Sequence, residues 1–243
     1  IYLRQLNDTT GELTLLTGDL ALSAQSPTLA GNGGTVFFIA GNNLYAIPTT
    51  GGAQEQLPDT AGVSAVAASY DGAVLALIRN GEAWLRQNGQ MTRIGDQTGF
   101  TTPLLSRDGQ TAAFLASDGN VFVWTAADNA WRRLASDVRH VSMTLDGCTL
   151  CCQAESIGAL SVITTGTGEI TALPLPGLPA GVTANDLRQP TISPNRRFLV
   201  YFRDADGISQ LFRYDLAANA EVMASVDSEG QPGDAFSRLP LSI

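Results

Sequence analysis

Lysine is absent from these 243 residues, so all fourteen basic side chains are arginine. Schiff-base chemistry and the phosphate-binding lysine of a Walker loop are thereby excluded. Against 23 acidic residues the arginines leave a formal charge of −9, and they adjoin one another only at Arg132-Arg133 and Arg196-Arg197. A polyanion needs a concentrated positive field, so nucleic acid is excluded as a partner. Charged residues are scarce at 15%, while glycine and proline number 25 and 11. That balance argues against a disordered chain, a coiled coil or a bundle rich in Glu and Lys. Apolar runs fall well short of eighteen residues, so no membrane insertion is expected, and no signal peptide is visible.

Histidine occurs once, at His140, and cysteine three times, at Cys148, Cys151 and Cys152. An odd cluster this tight is not a disulfide framework. Cys151 and Cys152 point to opposite faces of a strand and Cys148-x-x-Cys151 lacks a second pair, so the thiols read as buried and structural, and no metal site is expected. With one histidine and no Gly-x-Ser-x-Gly elbow, no catalytic residue is assigned.

What the chain does have is a repeat. Asn32-Gly33, Asp71-Gly72, Asp108-Gly109, Asp146-Gly147 and Asn195-Arg196 follow one another at spacings of 39, 37, 38 and 49 residues. Each lies between two short apolar runs, the pattern of a hairpin with a two-residue turn. Reading the units through predicts four strands in each, here a to d. First strands are Ala24–Leu29, Val63–Ala68, Thr101–Leu105, His140–Thr144, Gln189–Ser193 and Phe236–Leu241. Six third and six fourth strands follow, the earliest at Tyr2–Leu6 and Leu13–Leu16, but only five second strands. Second strands such as Val36-Phe37-Phe38-Ile39 are apolar throughout, as a strand covered on both faces must be, and fourth strands such as Gln90-Met91-Thr92-Arg93 are polar, as an outer edge must be. The expected fold is all-β: a single domain over 1–243, a six-bladed β-propeller of four-stranded antiparallel blades. Its last blade is composed from both termini and lacks one strand. The tail from Asp227 reads as a further repeat cut off before its turn, as in a piece of a longer protein.

Ile192-Ser193-Pro194-Asn195, Phe198-Leu199-Val200-Tyr201 and Leu211-Phe212-Arg213-Tyr214-Asp215-Leu216 resemble the TolB-like β-propeller repeats of bacterial envelope and exported proteins. Those blades read Ser-Pro-Asp-Gly, an apolar strand, an aromatic-rich strand and a polar last strand. The first unit departs from the pattern with Gly31-Asn32-Gly33-Gly34, the fifth with Asn195-Arg196, where Gly is missing. The resemblance implies a periplasmic, cell-surface or secreted location and a role in binding.

Alternating strand direction puts d-to-a and b-to-c loops on one face. Two long d-to-a loops, Pro174–Arg188 and Ser225–Ala235, stretch the last two spacings, and long loops on a rigid frame are where recognition usually sits. The candidate ligand-binding residues are therefore Asn185, Asp186 and Arg188 in one loop, Asp227, Glu229 and Asp234 in the other, and His140, Asp204 and Asp206 near the expected channel mouth. Asp204-Ala205-Asp206-Gly207 opens like a calcium loop, but Ile208-Ser209-Gln210-Leu211 leads straight into a strand without a bidentate Glu. It reads as a turn, and no cofactor is expected. The leading function is a non-catalytic binding or scaffolding propeller taking a protein, peptide or glycan on its loop-rich face. The alternative is a propeller hydrolase or lyase working at the channel mouth, or the non-catalytic propeller of a larger enzyme.

Overall fold

The computed structural model describes residues 1–4, 13–17, 23–156, 159–205, 207–227 and 229–233. Among them lie 22 strands in six antiparallel sheets, and the helical content is one 3₁₀ turn at Ala184–Asp186. The first sheet pairs β1 (Tyr2–Arg4) with β2 (Leu13–Leu15). The second runs β3 (Ala24–Leu29), β4 (Thr35–Ala40), β5 (Asn43–Pro48), β6 (Glu55–Gln56), and the third β7 (Val63–Ala68), β8 (Val74–Arg79), β9 (Glu82–Gln87), β10 (Gln90–Arg93). The fourth has β11 (Phe100–Leu105), β12 (Thr111–Ala116), β13 (Val121–Thr125) and β14 (Ala130–Ala135). Then come β15 (Val138–Met143), β16 (Thr149–Ala154), β17 (Leu160–Thr164) and β18 (Ile170–Ala172), and last β19 (Arg188–Ile192), β20 (Phe198–Ala205), β21 (Ile208–Asp215) and β22 (Ala220–Met223). Each four-stranded sheet is ordered along the chain. The expected a-to-d units are thus present to within a few residues, while the expected strand Phe236–Leu241 lies outside the described residues.

The chain divides into two compact units, residues 1–117 with 124–131 and residues 118–123 with 132–243, the boundary running through β13 and β14. In the first unit β4 shows why its sequence is apolar without alternation. Val36, Phe38 and Ala40 pack in one cluster with Leu16 and Ile47, while Phe37 and Ile39 enter a second cluster with Val63, Leu75 and Leu77. Successive side chains of a strand face opposite ways, so a strand between two sheets must be hydrophobic at every position. The second unit repeats the arrangement on β16. Cys151 packs with Leu199, Tyr201 and Phe212, and Cys152 faces away from them, as alternation requires. Fourth strands carry the polar edge: all three residues of β18 and both of β6 are exposed.

The turns between first and second strands differ from the expected two-residue form. Gly72 donates its N–H to the Ser69 carbonyl at 3.1 Å and takes φ +73°, while Asp71 stays outside the left-handed region. A two-residue type I′ turn would need positive φ at both central residues; here a type I turn ends on one left-handed residue. Asp71 is kept by its acceptor capacity. Its carboxylate takes the Ser69 hydroxyl at 2.8 Å and the Ala73 N–H at 3.0 Å, and the Ser69 hydroxyl oxygen takes the Val74 N–H. Ser106 with Asp108, Thr144 with Asp146, and Ser193 with Asn195 repeat the device. In the last, Arg196 occupies the left-handed position at φ +54° without being glycine.

Each of the five described first strands carries a bulge near its start, as between Val138 and His140 or between Arg188 and Thr191. A bulge inserts one residue and re-aims the side chains around it, here at the end of the strand from which the long loops arrive.

Candidate functional site

The loop face of the second unit collects most of the sequence-derived candidates. The bulge in β15 leaves Arg139 exposed and directs it across to the long loop, where it donates to the Asn185 carbonyl at 2.9 Å. Gln153 on β16, buried to 1%, donates its amide to the carbonyls of Ala184 at 2.7 Å and Leu187 at 2.9 Å. Tyr214 accepts the Gly177 N–H on its hydroxyl at 2.9 Å. Within the loop, the Asp186 carboxylate takes the Thr183 N–H at 2.7 Å and its hydroxyl at 2.9 Å, bonds that hold the carboxyl below its usual range. The segment from Pro174 to Arg188 is therefore built in: Leu187 is 1% exposed and belongs to the core of this unit. It is not a detachable surface ornament.

Asn185 contributes its backbone to this frame and leaves its side chain on the exposed surface. Arg188, also exposed, forms an ion pair with Asp204 on β20. The second long loop is tied differently. Gln210 donates to the Gly233 carbonyl at 2.6 Å and accepts from the Ser225 hydroxyl, while Asp227 turns inward on its own loop, taking the N–H groups of Glu229 and Gln231 at 2.9 Å each. Glu229 is exposed. Asp206 and Asp234 lie outside the described residues. Arg139 with Asn185, and Arg188 with Asp204, are thus brought together; Asp186 and Asp227 serve their own loops.

His140 is half-buried beside the Pro190 carbonyl of the neighbouring first strand, and its Nε2 is buried without a hydrogen-bond partner. Burial disfavours the cation and lowers its pKa from 6.5; a hydrogen bond to the Pro190 carbonyl opposes this, and Arg139 adds to it. Among the described residues no three His, Cys, Asp or Glu side chains converge. Cys151 and Cys152 are buried, and burial pushes the Cys152 thiol up to about 12. Cys148 departs from the expectation: at the turn position after Gly147 its side chain is exposed, because the turn residues point to solvent before the strand enters the core.

Sequence reasoning missed Gln153, Gln210 and the group Tyr201, Arg203 and Glu221. Glu221 takes the Nε and Nη2 donors along one edge of the Arg203 guanidinium, at 2.9 and 2.6 Å, and the Tyr201 hydroxyl at 2.5 Å. A polar residue inside an otherwise apolar second strand, as in Leu150-Cys151-Cys152-Gln153, was the available signal for the first of these.

Compared with known proteins, the chain matches no family model and no curated protein by sequence. Solved structures do match in shape. The "putative TolB" of Agrobacterium tumefaciens superposes with TM-score 0.61 at 11% identity, over 87% of this chain and 83% of that one. An oligogalacturonate lyase in complex with manganese gives 0.67 at 16%, over 95% and 73%, and the propeller of a nidogen/laminin complex 0.56 at 12%, over 91% and 87%. Six antiparallel sheets with these neighbours define a β-propeller, its sheets the six blades. More particularly, the fold is TolB-like.

Proposed function

We propose that this chain is a non-catalytic binding propeller that takes a protein or peptide partner on the loop face of its second unit. One observation carries the reading: a loop of 3₁₀ and irregular backbone is held from outside by three side-chain anchors, Arg139, Gln153 and Tyr214, and braced within by Asp186, while the side chain of Asn185 stays exposed. Ordering a loop in advance lowers the entropy lost on association, which is how a rigid frame turns modest contacts into affinity. Arg188, Asp204 and Glu229 supply charges of both signs at the rim, where they steer and select. One of the solved structures of similar shape is a nidogen/laminin complex, an assembly of proteins, which supports a binding role for this architecture. Among the described residues no helix is long and apolar enough to cross a membrane, and the TolB-like fold supports an exported, envelope-associated role.

The test follows from the anchors. Because Leu187 is in the core, the loop should be blocked rather than removed. Ala180→Glu with Asn185→Arg alters only exposed positions and should leave the melting temperature within a few degrees. Cross-linking and mass spectrometry on the source cell envelope should then identify a partner bound by the wild-type chain and lost by the variant. Recovery of the same partner in the same amount by both forms would assign the face wrongly.

A further inference from the structure

A cleft in the first unit carries a separate inference, which does not rest on the loop reading. Between the outer strands β10 and β14 a cleft of about 260 Å³ is lined by Trp124, Trp131, Gln87, Thr92, Arg93 and Asn129, with Leu85, Ile94 and Gly95 at its base. Both indole N–H groups are already used: Trp124 donates to Asn129 Oδ1 at 2.9 Å and Trp131 to Gln97 Oε1 at 2.6 Å. With that donor spent, what Trp124 offers a guest is ring surface. Trp131 is fixed in direction by Phe100 and Phe114, each with its centroid 5.7 Å away and inclined at 78° and 58°. Gly95 makes the room, since a Cβ there would stand 2.3 Å from Trp131 Nε1.

We infer that this cleft binds a neutral pyranose ring of a glycan. A sugar ring has an apolar C–H face, which stacks on an aromatic ring whose faces carry negative charge density, and an equatorial rim of hydroxyls that need donors and acceptors on all sides. Gln87, Thr92 and Asn129 are exposed amide and hydroxyl groups placed to meet such a rim. The volume is below the range of about 300 to 1,000 Å³ typical of drug-sized ligands and suits one ring. The side chains lining the cleft are otherwise uncharged, since alternation turns Arg93 to the opposite face of β10, where it pairs with Glu82 at 3.1 Å; an uncharged lining suits a neutral guest.

The test uses the full chain with methyl β-D-glucopyranoside, cellohexaose, maltohexaose and chitohexaose as probes, read by saturation-transfer NMR and tryptophan fluorescence. Binding of at least one sugar at about 1 mM is expected for a contact of this size. Trp124→Ala should weaken it tenfold or more and Trp124→Phe should restore part of it. Thr92→Arg, an exposed change that fills the cleft without touching the Phe100–Trp131 cluster, should abolish it. Trp84→Phe and the loop-blocking pair Ala180→Glu with Asn185→Arg should leave it unchanged, which separates this site from the protein-binding face. No binding by any of the four sugars at about 20 mM would overturn the inference, as would binding that survives Thr92→Arg, or a proline-rich decapeptide binding with the same dependence on Trp124.

Discussion

Glu221→Ala should be among the costliest single changes in the second unit. The Arg203 and Glu221 side chains are only 12% and 7% exposed, and they meet through two hydrogen bonds with the guanidinium lying 3.8 Å above the Phe212 ring. Glu221 also holds the Tyr201 hydroxyl, so its removal strands a buried cation and a buried phenol together. A guanidinium keeps its proton at any working pH, so in the variant the arginine cannot escape by losing it. Breaking such a pair by deleting one partner costs about 3–5 kcal/mol, a large part of the roughly 5–15 kcal/mol that keeps a domain folded. With a urea m-value of about 3 kcal/mol/M the midpoint should fall by about 1 to 1.7 M. Tryptophan fluorescence is the wrong probe, because Trp84, Trp124 and Trp131 all lie in the first unit; circular dichroism includes the second, through its peptide groups and through Tyr201 and Tyr214. The apolar double replacement Arg203→Met with Glu221→Leu should return to within about 1 kcal/mol of the parent, since neither charge then needs compensation. A Glu221→Ala loss below about 1 kcal/mol, or a double variant as weak as the single, would refute the reasoning.

Arg196→Gly should stabilise the fifth repeat turn by about 0.5–1 kcal/mol, the relief of a left-handed arginine less the added freedom of the unfolded chain; an unchanged urea midpoint would contradict it. Gly109→Ala should cost about 2 kcal/mol or more, because a Cβ there meets Val74 at 2.8 Å in a left-handed backbone, and differential scanning calorimetry reads the loss. His140 binds its proton less readily folded than unfolded, so the stability it favours is complete above pH 6.5 and declines as the pH falls through that value toward its lowered folded pKa. Urea midpoints between pH 7.5 and 5.5 should show this step, and His140→Gln should remove it. One thiol, Cys148, should react with a disulfide reagent in the native protein, with Cys151 and Cys152 following only on unfolding; three fast thiols would disprove their burial.

The repeat was legible in the chain because its signals are local. Asp-Gly or Asn-Gly at intervals of 37 to 39 residues, apolar second strands and polar fourth strands each follow from chemistry within a few residues, and they place β3 and β7 to the residue. The choice between turn types was not legible, since Asp-Gly suits both; the serine two residues earlier decides it by capturing the Asp71 carboxylate and leaving only glycine left-handed. Of the candidate site, the sequence told which loops are long and polar. It could not tell that Asp186 and Asp227 are consumed within their own loops, that Asn185 is gripped by its carbonyl, or that Gln153, 31 positions before Ala184, anchors that loop. Those facts depend on which strands lie side by side. The same holds for Trp124 and Trp131, two aromatics in a polar hairpin whose shared cleft with Arg93 and Gly95 exists only once neighbouring sheets stack. Sequence determines strands through period and propensity; which polar groups are spent and which stay open is settled by contacts between residues far apart in the chain.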